Sequence, residues 1–185
     1  MRTKGPGESG LLLLDAVALL TEAGMPYAVI GAMAAAVHGV IRASVDADVI
    51  LSADAAELRR LEKRFAAVAF QTQLREGDLE DPIPAVLVLG DAHGNRVDLL
   101  AGLRGLEPAA FSRAITVPFQ GQPLRVIGRE DFIAMKIFAG GPADMMDARA
   151  AIRVTGDSLD LTLLRRLAER YGRSTRDALE AMLRD

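Results

Sequence analysis

Residues 45–51 read Val-Asp-Ala-Asp-Val-Ile-Leu, two carboxylates inside a run that is otherwise apolar. Such a run is a strand, and side chains alternate across a strand. Asp46 and Asp48 therefore project from one face, while Val45, Ala47 and Val49 face a core on the other. Two carboxylates side by side repel each other, and a divalent cation relieves that repulsion. Mg²⁺ in particular takes carboxylate oxygens together with phosphates. The plainer alternative is that one Asp caps a strand end or sits on a solvated edge. The spacing alone leaves both readings open.

Neighbouring segments supply partners for the first reading. Tyr27–Ile30 is a short apolar strand that runs into Gly31, and the Ala-rich stretch 32–38 behind it is helix-prone. Backbone N–H groups at such a strand-to-helix turn can meet a phosphate. Arg42 and Ser44, just ahead of the acidic pair, can also reach phosphate oxygens. Asp98, in Val97-Asp98-Leu99, is a lone carboxylate in another apolar strand. That strand pairs with 85–89 as a hairpin across the turn-forming stretch 90–95. If it lies beside 45–51, three carboxylates meet.

The rest of the chain organises around these segments. Residues 9–24 read as a helix closed by Gly24, and Ser52 or Asp54 can cap a helix running to about Ala67. Residues 69–74, 114–117 and 124–126 are weaker strands. After Gly128 the pattern is helical throughout: 129–139, a helix starting near Pro142, one at 159–171, and one at 175–184 with a capping-box-like Ser174-Thr-Arg-Asp177 start. The expected fold is α/β (α+β), a mixed sheet flanked by helices and followed by a C-terminal helical segment. Residues 1–127 would form the core and 128–185 a helical subdomain packed on it.

Composition narrows the function. There are 25 acidic and 22 basic residues, a net charge of −3, so bulk positive charge does not hold nucleic acid here. No Cys is present, which removes thiol catalysis, zinc fingers and iron–sulfur clusters. Two His leave little for a His-based metal site, and the absence of Trp argues against base-stacking platforms. The apolar run at 11–14 is broken by Asp15, so no membrane span is expected, and the chain reads as cytoplasmic.

Gly31-Ala32, thirteen residues, Asp46-x-Asp48 and a later strand Asp98 together resemble the minimal nucleotidyltransferases of the DNA polymerase beta-like superfamily. Within it, His38-Gly39, Arg42, Ser44 and the acidic pair are similar to the AbiEii-like abortive-infection toxins of type IV toxin–antitoxin systems. Those proteins also carry a Lys helix followed by an Asp-x-x-Asp helix, matched here by Lys136 and by Asp144 with Asp147. The resemblance spans about residues 27–150. It implies a nucleotidyltransferase-like fold and transfer of an NMP from an NTP to an acceptor hydroxyl, such as an RNA 3′ end. It further implies two Mg²⁺ ions held by Asp46, Asp48 and Asp98, phosphate contacts from Gly31, Ala32, Arg42 and Ser44, site roles for Lys136 and Asp144, and a cognate antitoxin as partner. Ala32 stands where the family usually has Gly or Ser, Gly141 where Arg is common, and Ala143 where Lys is frequent.

Rival readings stay open at this point. The same fold can act on a small molecule such as an antibiotic hydroxyl, or persist as a nucleotide-binding relative without activity. Lys136, the only Lys beyond residue 63, is either a snorkelling surface residue or a phosphate contact, and Asp144 either a first-turn residue favoured by the helix dipole or a base. His38 reads better as a satisfied helix-end histidine than as a ligand, and Asp91 and His93 as turn residues. Seven Arg against three acids between 149 and 176 form either an RNA surface or a solvated helical face.

Overall fold

The computed structural model describes residues 1–42, 44–78 and 81–184. The chain enters through α1 (Ser9–Glu22), β1 (Tyr27–Val29), α2 (Gly31–Val37), β2 (Asp46–Leu51) and α3 (Ala55–Ala67). Strands β3 (Gln71–Glu76), β4 (Ala85–Gly90) and β5 (Arg96–Ala101) follow, then the short helix α4 (Ala109–Arg113) and the hairpin β6 (Ile115–Phe119) and β7 (Gln122–Val126). The last third holds α5 (Arg129–Ala139), α6 (Pro142–Thr155), α7 (Leu161–Tyr171) and α8 (Arg173–Met182), with a 3-10 turn at Gly156–Ser158.

The strands form one seven-stranded mixed sheet in the order β3-β4-β5-β2-β1-β7-β6. Hairpin pairs are antiparallel, whereas β2 lies parallel to β5 and β1 parallel to β7. Period-2 burial sets the faces. Ala47, Val49, Val97, Leu99, Leu87 and Leu89 are buried and share one apolar core with Leu13 of α1 and Leu58 and Phe65 of α3. Phe132, Ile133 and Ile137 of α5 and Leu164 of α7 belong to the same core. Among the described residues no helix is long and apolar enough to cross a membrane.

The α/β class and the helical C-terminal third match the sequence reading, and several details differ. Asp54, not Ser52, caps α3, in a capping box with Glu57. Val45 does not enter the core: it precedes β2 and is 79% exposed. The box expected at Ser174 does not form. Gly172, at φ +117°, is the sole link between α7 and α8, so α8 starts at Arg173 and Ser174 already lies in its first turn. Helix α4 is absent from the sequence reading, because five residues carry too little periodicity to register.

One residue ties the strands that matter most. Ser9, the first residue of α1, donates its Oγ–H to the Val45 carbonyl (2.6 Å), and the same oxygen accepts from the Arg96 N–H (3.1 Å). The starts of β2 and β5 are thereby pinned at the same level.

Candidate active site

Because β2 and β5 are parallel and in register, Asp48 stands directly beside Asp98, and Asp46 directly beside Arg96. All four side chains leave the same face, at the edge where these two strands begin. The end of β1 meets them there: the Ile30 N–H donates to the Asp48 carbonyl (2.9 Å), and Gly31 begins α2 with φ +62°. A Cβ at Gly31 would lie 2.0 Å from Asp48 Oδ2. Glycine is therefore required twice, by its backbone conformation and by the carboxylate against it.

The Asp48 carboxyl is pushed above the usual carboxylate range, first by burial and then by the charges of Asp98 and Asp46, with Lys136 and Arg42 pulling the other way. The site thus carries an excess of negative charge. Part of it is answered by Arg96, whose Nε and Nη2 grip Asp98 Oδ1 and Oδ2 at 2.7 and 2.6 Å. As the side chains stand, no three acidic or His side chains among the described residues are grouped to hold a metal ion. The donor set is nonetheless the one Mg²⁺ prefers, hard carboxylate oxygens from adjacent rigid strands.

A second charged group lies across the opening. Lys136 of α5 is buried, and its Nζ donates to Asp144 Oδ1 at 2.6 Å and sits 2.9 Å from Asp147 Oδ2. Asp147 also accepts from Arg42 Nε at 3.2 Å. Lys136 is thus no snorkelling surface residue. Arg42, expected to face phosphate, is anchored to α6 through Asp147 and is still 38% exposed. Asp147, buried and bridging two cations, is as central to this network as Asp144. In the sequence it is marked by its i, i+3 spacing from Asp144 and by the Asp-x-x-Asp helix of the resemblance.

Two openings converge on these groups. One, of about 610 Å³, is lined by Gly31, Asp48, Lys136 and Asp144 at its polar end and by apolar side chains including Leu100, Leu103, Phe132, Met135 and Phe138 beyond. The other, of about 510 Å³, is lined by Ala32, Ser44, Asp46, Met33 and Gln120 among others. Arg42 borders both. Ser44 donates its hydroxyl to the Asp46 carbonyl (3.1 Å) and so stabilises the approach to β2.

The remaining candidates lie elsewhere. His38 Nε2 is 2.8 Å from the Ile127 carbonyl, and its ring packs on Phe132; burial lowers its pKa, so it is a packed, largely neutral helix-end group. Asp91 is a turn clamp: it accepts from the backbone N–H of His93 and Asn95 and from Asn95 Nδ2. The C-terminal arginines are mostly paired. Arg165 grips Glu180, Arg166 and Arg170 reach Glu107, and Arg176 reaches Asp177.

The strand order, the acidic edge and the glycine turn together define the nucleotidyltransferase-like fold. Among solved structures, the chain is similar to ANT(2")-Ia in complex with adenylyl-2"-tobramycin, at 17% identity and a TM-score of 0.58 over 88% of this chain and 98% of that one. It is similar to the lincosamide antibiotic adenylyltransferase LnuA, lincomycin-bound, at 11% identity and a TM-score of 0.51 over 83% and 100%. An antigenic nucleotidyltransferase-like protein from Paracoccidioides brasiliensis gives 16% identity and 0.50 over 95% and 91%. No family model matches the sequence, and no curated protein matches it.

Proposed function

We propose that the protein is a nucleotidyltransferase that moves an NMP from an NTP to the hydroxyl of a small-molecule acceptor. The observation that carries this reading is the in-register Asp48–Asp98 pair, set against Gly31 at the head of an apolar cleft. Asp46, Asp48 and Asp98 would hold Mg²⁺, which when bound neutralises phosphate charge and favours an acceptor alkoxide. Ala32, Ser44 and the exposed side of Arg42 line the opening beside Asp46, which suits a triphosphate. Asp144, paired with Lys136 at the cleft wall, would orient the acceptor hydroxyl and take its proton. The acceptor oxygen bonds to the α-phosphorus, the α–β phosphate bond breaks in line, and pyrophosphate leaves.

The cleft favours a small molecule over RNA as the acceptor. Its far wall is apolar, the pattern of a small-ligand pocket, and the charge of Lys136 is matched within the protein. Four of the seven C-terminal arginines, at 165, 166, 170 and 176, are engaged with carboxylates rather than forming an open basic surface. ANT(2")-Ia, seen with an adenylylated tobramycin, and LnuA, seen with lincomycin, support the same choice by likeness of fold. The toxin reading, with its antitoxin, rests on the sequence pattern of His38-Gly39, Arg42, Ser44 and Asp46-x-Asp48 together with Lys136, Asp144 and Asp147, the last three of which here form an internal ion-pair network.

The test is direct. Purified protein is incubated with Mg²⁺, each α-labelled NTP, and either a panel of hydroxyl-bearing small molecules or total RNA, beside Asp48→Asn. Label on a small molecule, lost in the variant, is the expected result. Label on RNA alone overturns the acceptor assignment, and Mg²⁺-dependent nucleotide binding with no labelled product overturns the activity.

A further inference from the structure

Arg96 was not among the residues the sequence singled out, yet it is the cation nearest the acidic edge. Asp46, Asp48, Asp98 and Arg96 occupy four corners of one patch of sheet: Arg96 is opposite Asp46, Asp98 is opposite Asp48, and all share a face. The guanidinium closes both oxygens of Asp98 in a fork. The pair is half-sheltered, with Arg96 36% and Asp98 17% exposed at their side chains. This is a strong planar pairing, made by the one side chain of the patch that bears positive charge.

We infer that Arg96 is a built-in counter-cation for the aspartate triad, a positioning residue that holds Asp98 in the metal-free protein and yields it when a divalent cation enters. This rests on the reading of Asp46, Asp48 and Asp98 as cation ligands. Its physical basis is substitution of one charge for another. Without the guanidinium, three carboxylates on adjacent strands face one another with only the pull of Lys136 and Arg42 on Asp48 to offset them. With it, a cation that needs Asp98 must break two charge-assisted hydrogen bonds, and its affinity falls accordingly. Arg96 thereby sets the cation concentration at which the site assembles.

The experiment is a Mn²⁺ titration, followed by calorimetry and by the electron paramagnetic resonance of free ion, on the full chain and on Arg96→Met, Arg96→Lys and Asp48→Asn. No nucleotide or turnover is needed. Arg96→Met is expected to bind Mn²⁺ about tenfold more tightly than the natural chain, the scale of breaking hydrogen bonds to a charged group. Its metal-free unfolding midpoint should fall and be restored by Mn²⁺. Arg96→Lys keeps a charge without the fork, so it folds with the triad balanced and should bind with intermediate affinity. Equal affinity in the natural chain and both Arg96 variants, with binding still lost in Asp48→Asn, overturns the role of Arg96 alone. Absence of any Asp48-dependent binding overturns the cation-site reading and this inference with it.

Discussion

The Gly31 backbone and the Asp48 carboxylate occupy the same small volume: a Cβ added at residue 31 would meet Asp48 Oδ2 at 2.0 Å. The Asp48 backbone is held, with Val49 behind it fully buried and its carbonyl accepting from Ile30, so the Asp48 side chain must turn away to make room. Gly31→Ala therefore meets two penalties, a left-handed backbone and displacement of the Asp48 carboxylate. Urea unfolding should show a loss of about 2 kcal/mol or more. On the proposed function, in which Asp48 would hold Mg²⁺ and the Gly31 turn would face the phosphates, the transfer rate should fall further than stability explains.

On the proposed function, Asp48 would serve the chemistry at the expense of the fold. Burial and two neighbouring carboxylates raise its pKa. A carboxylate that folding makes harder to ionise destabilises the native state above its folded pKa, and that penalty lifts as pH falls toward it. Asp48→Asn removes the charge and keeps the shape. Its unfolding midpoint at neutral pH, without added cation, should rise above that of the natural protein. Its transfer rate should drop at least about a hundredfold. A midpoint that falls instead would mean the carboxylate is satisfied in the native state.

The Lys136 cluster works in the opposite direction, as structure that also shapes the site. Lys136 and Asp147 are 11% and 5% exposed at their side chains, so each relies on the other for its charge. Lys136→Met leaves Asp147 facing only Arg42, and denaturant unfolding should register a loss of about 3 kcal/mol. Asp147→Asn leaves Lys136 with Asp144 and frees Arg42, a smaller loss. The double variant should lose less than the sum of the two, and a fully additive result would show that the pair is not coupled.

These relationships were unequally visible in the sequence. The one-face geometry of Asp46 and Asp48 follows from alternation along a single strand, so it was legible. Their meeting with Asp98 depends on β2 and β5 pairing in parallel across some fifty residues, a non-local register that no local pattern fixes. Arg96 and Asp98 are two apart on a strand, the same spacing as the acidic pair, and the rule that linked the aspartates would have linked these. The Lys136–Asp147–Arg42 bridge needs α5, α6 and the loop before β2 to converge, which helical periodicity does not specify. Val45 looked like core because it continues an apolar alternation, but the strand starts one residue later, at Asp46.

The turn between β4 and β5 gives a pH prediction independent of catalysis. Burial alone would raise the Asp91 pKa. Hydrogen bonds from Asn95, Thr3 and the His93 and Asn95 backbones outweigh it and bring the value from 3.8 to about 2. Asn95 in turn accepts from the Glu8 N–H (2.6 Å) and donates to the Gly5 carbonyl (2.8 Å), so the same turn fastens the N-terminal segment. The folded pKa lies below the unfolded one. The stabilisation is therefore complete above the unfolded value and disappears as pH falls through the folded value. Urea unfolding between about pH 5 and pH 2 should show the natural chain losing on the order of 2 kcal/mol more than Asp91→Asn, whose side chain does not titrate. Amide exchange at residues 3–8 should quicken over the same range in the natural chain. A pH profile that runs parallel in the two proteins would show that Asp91 does not clamp the turn.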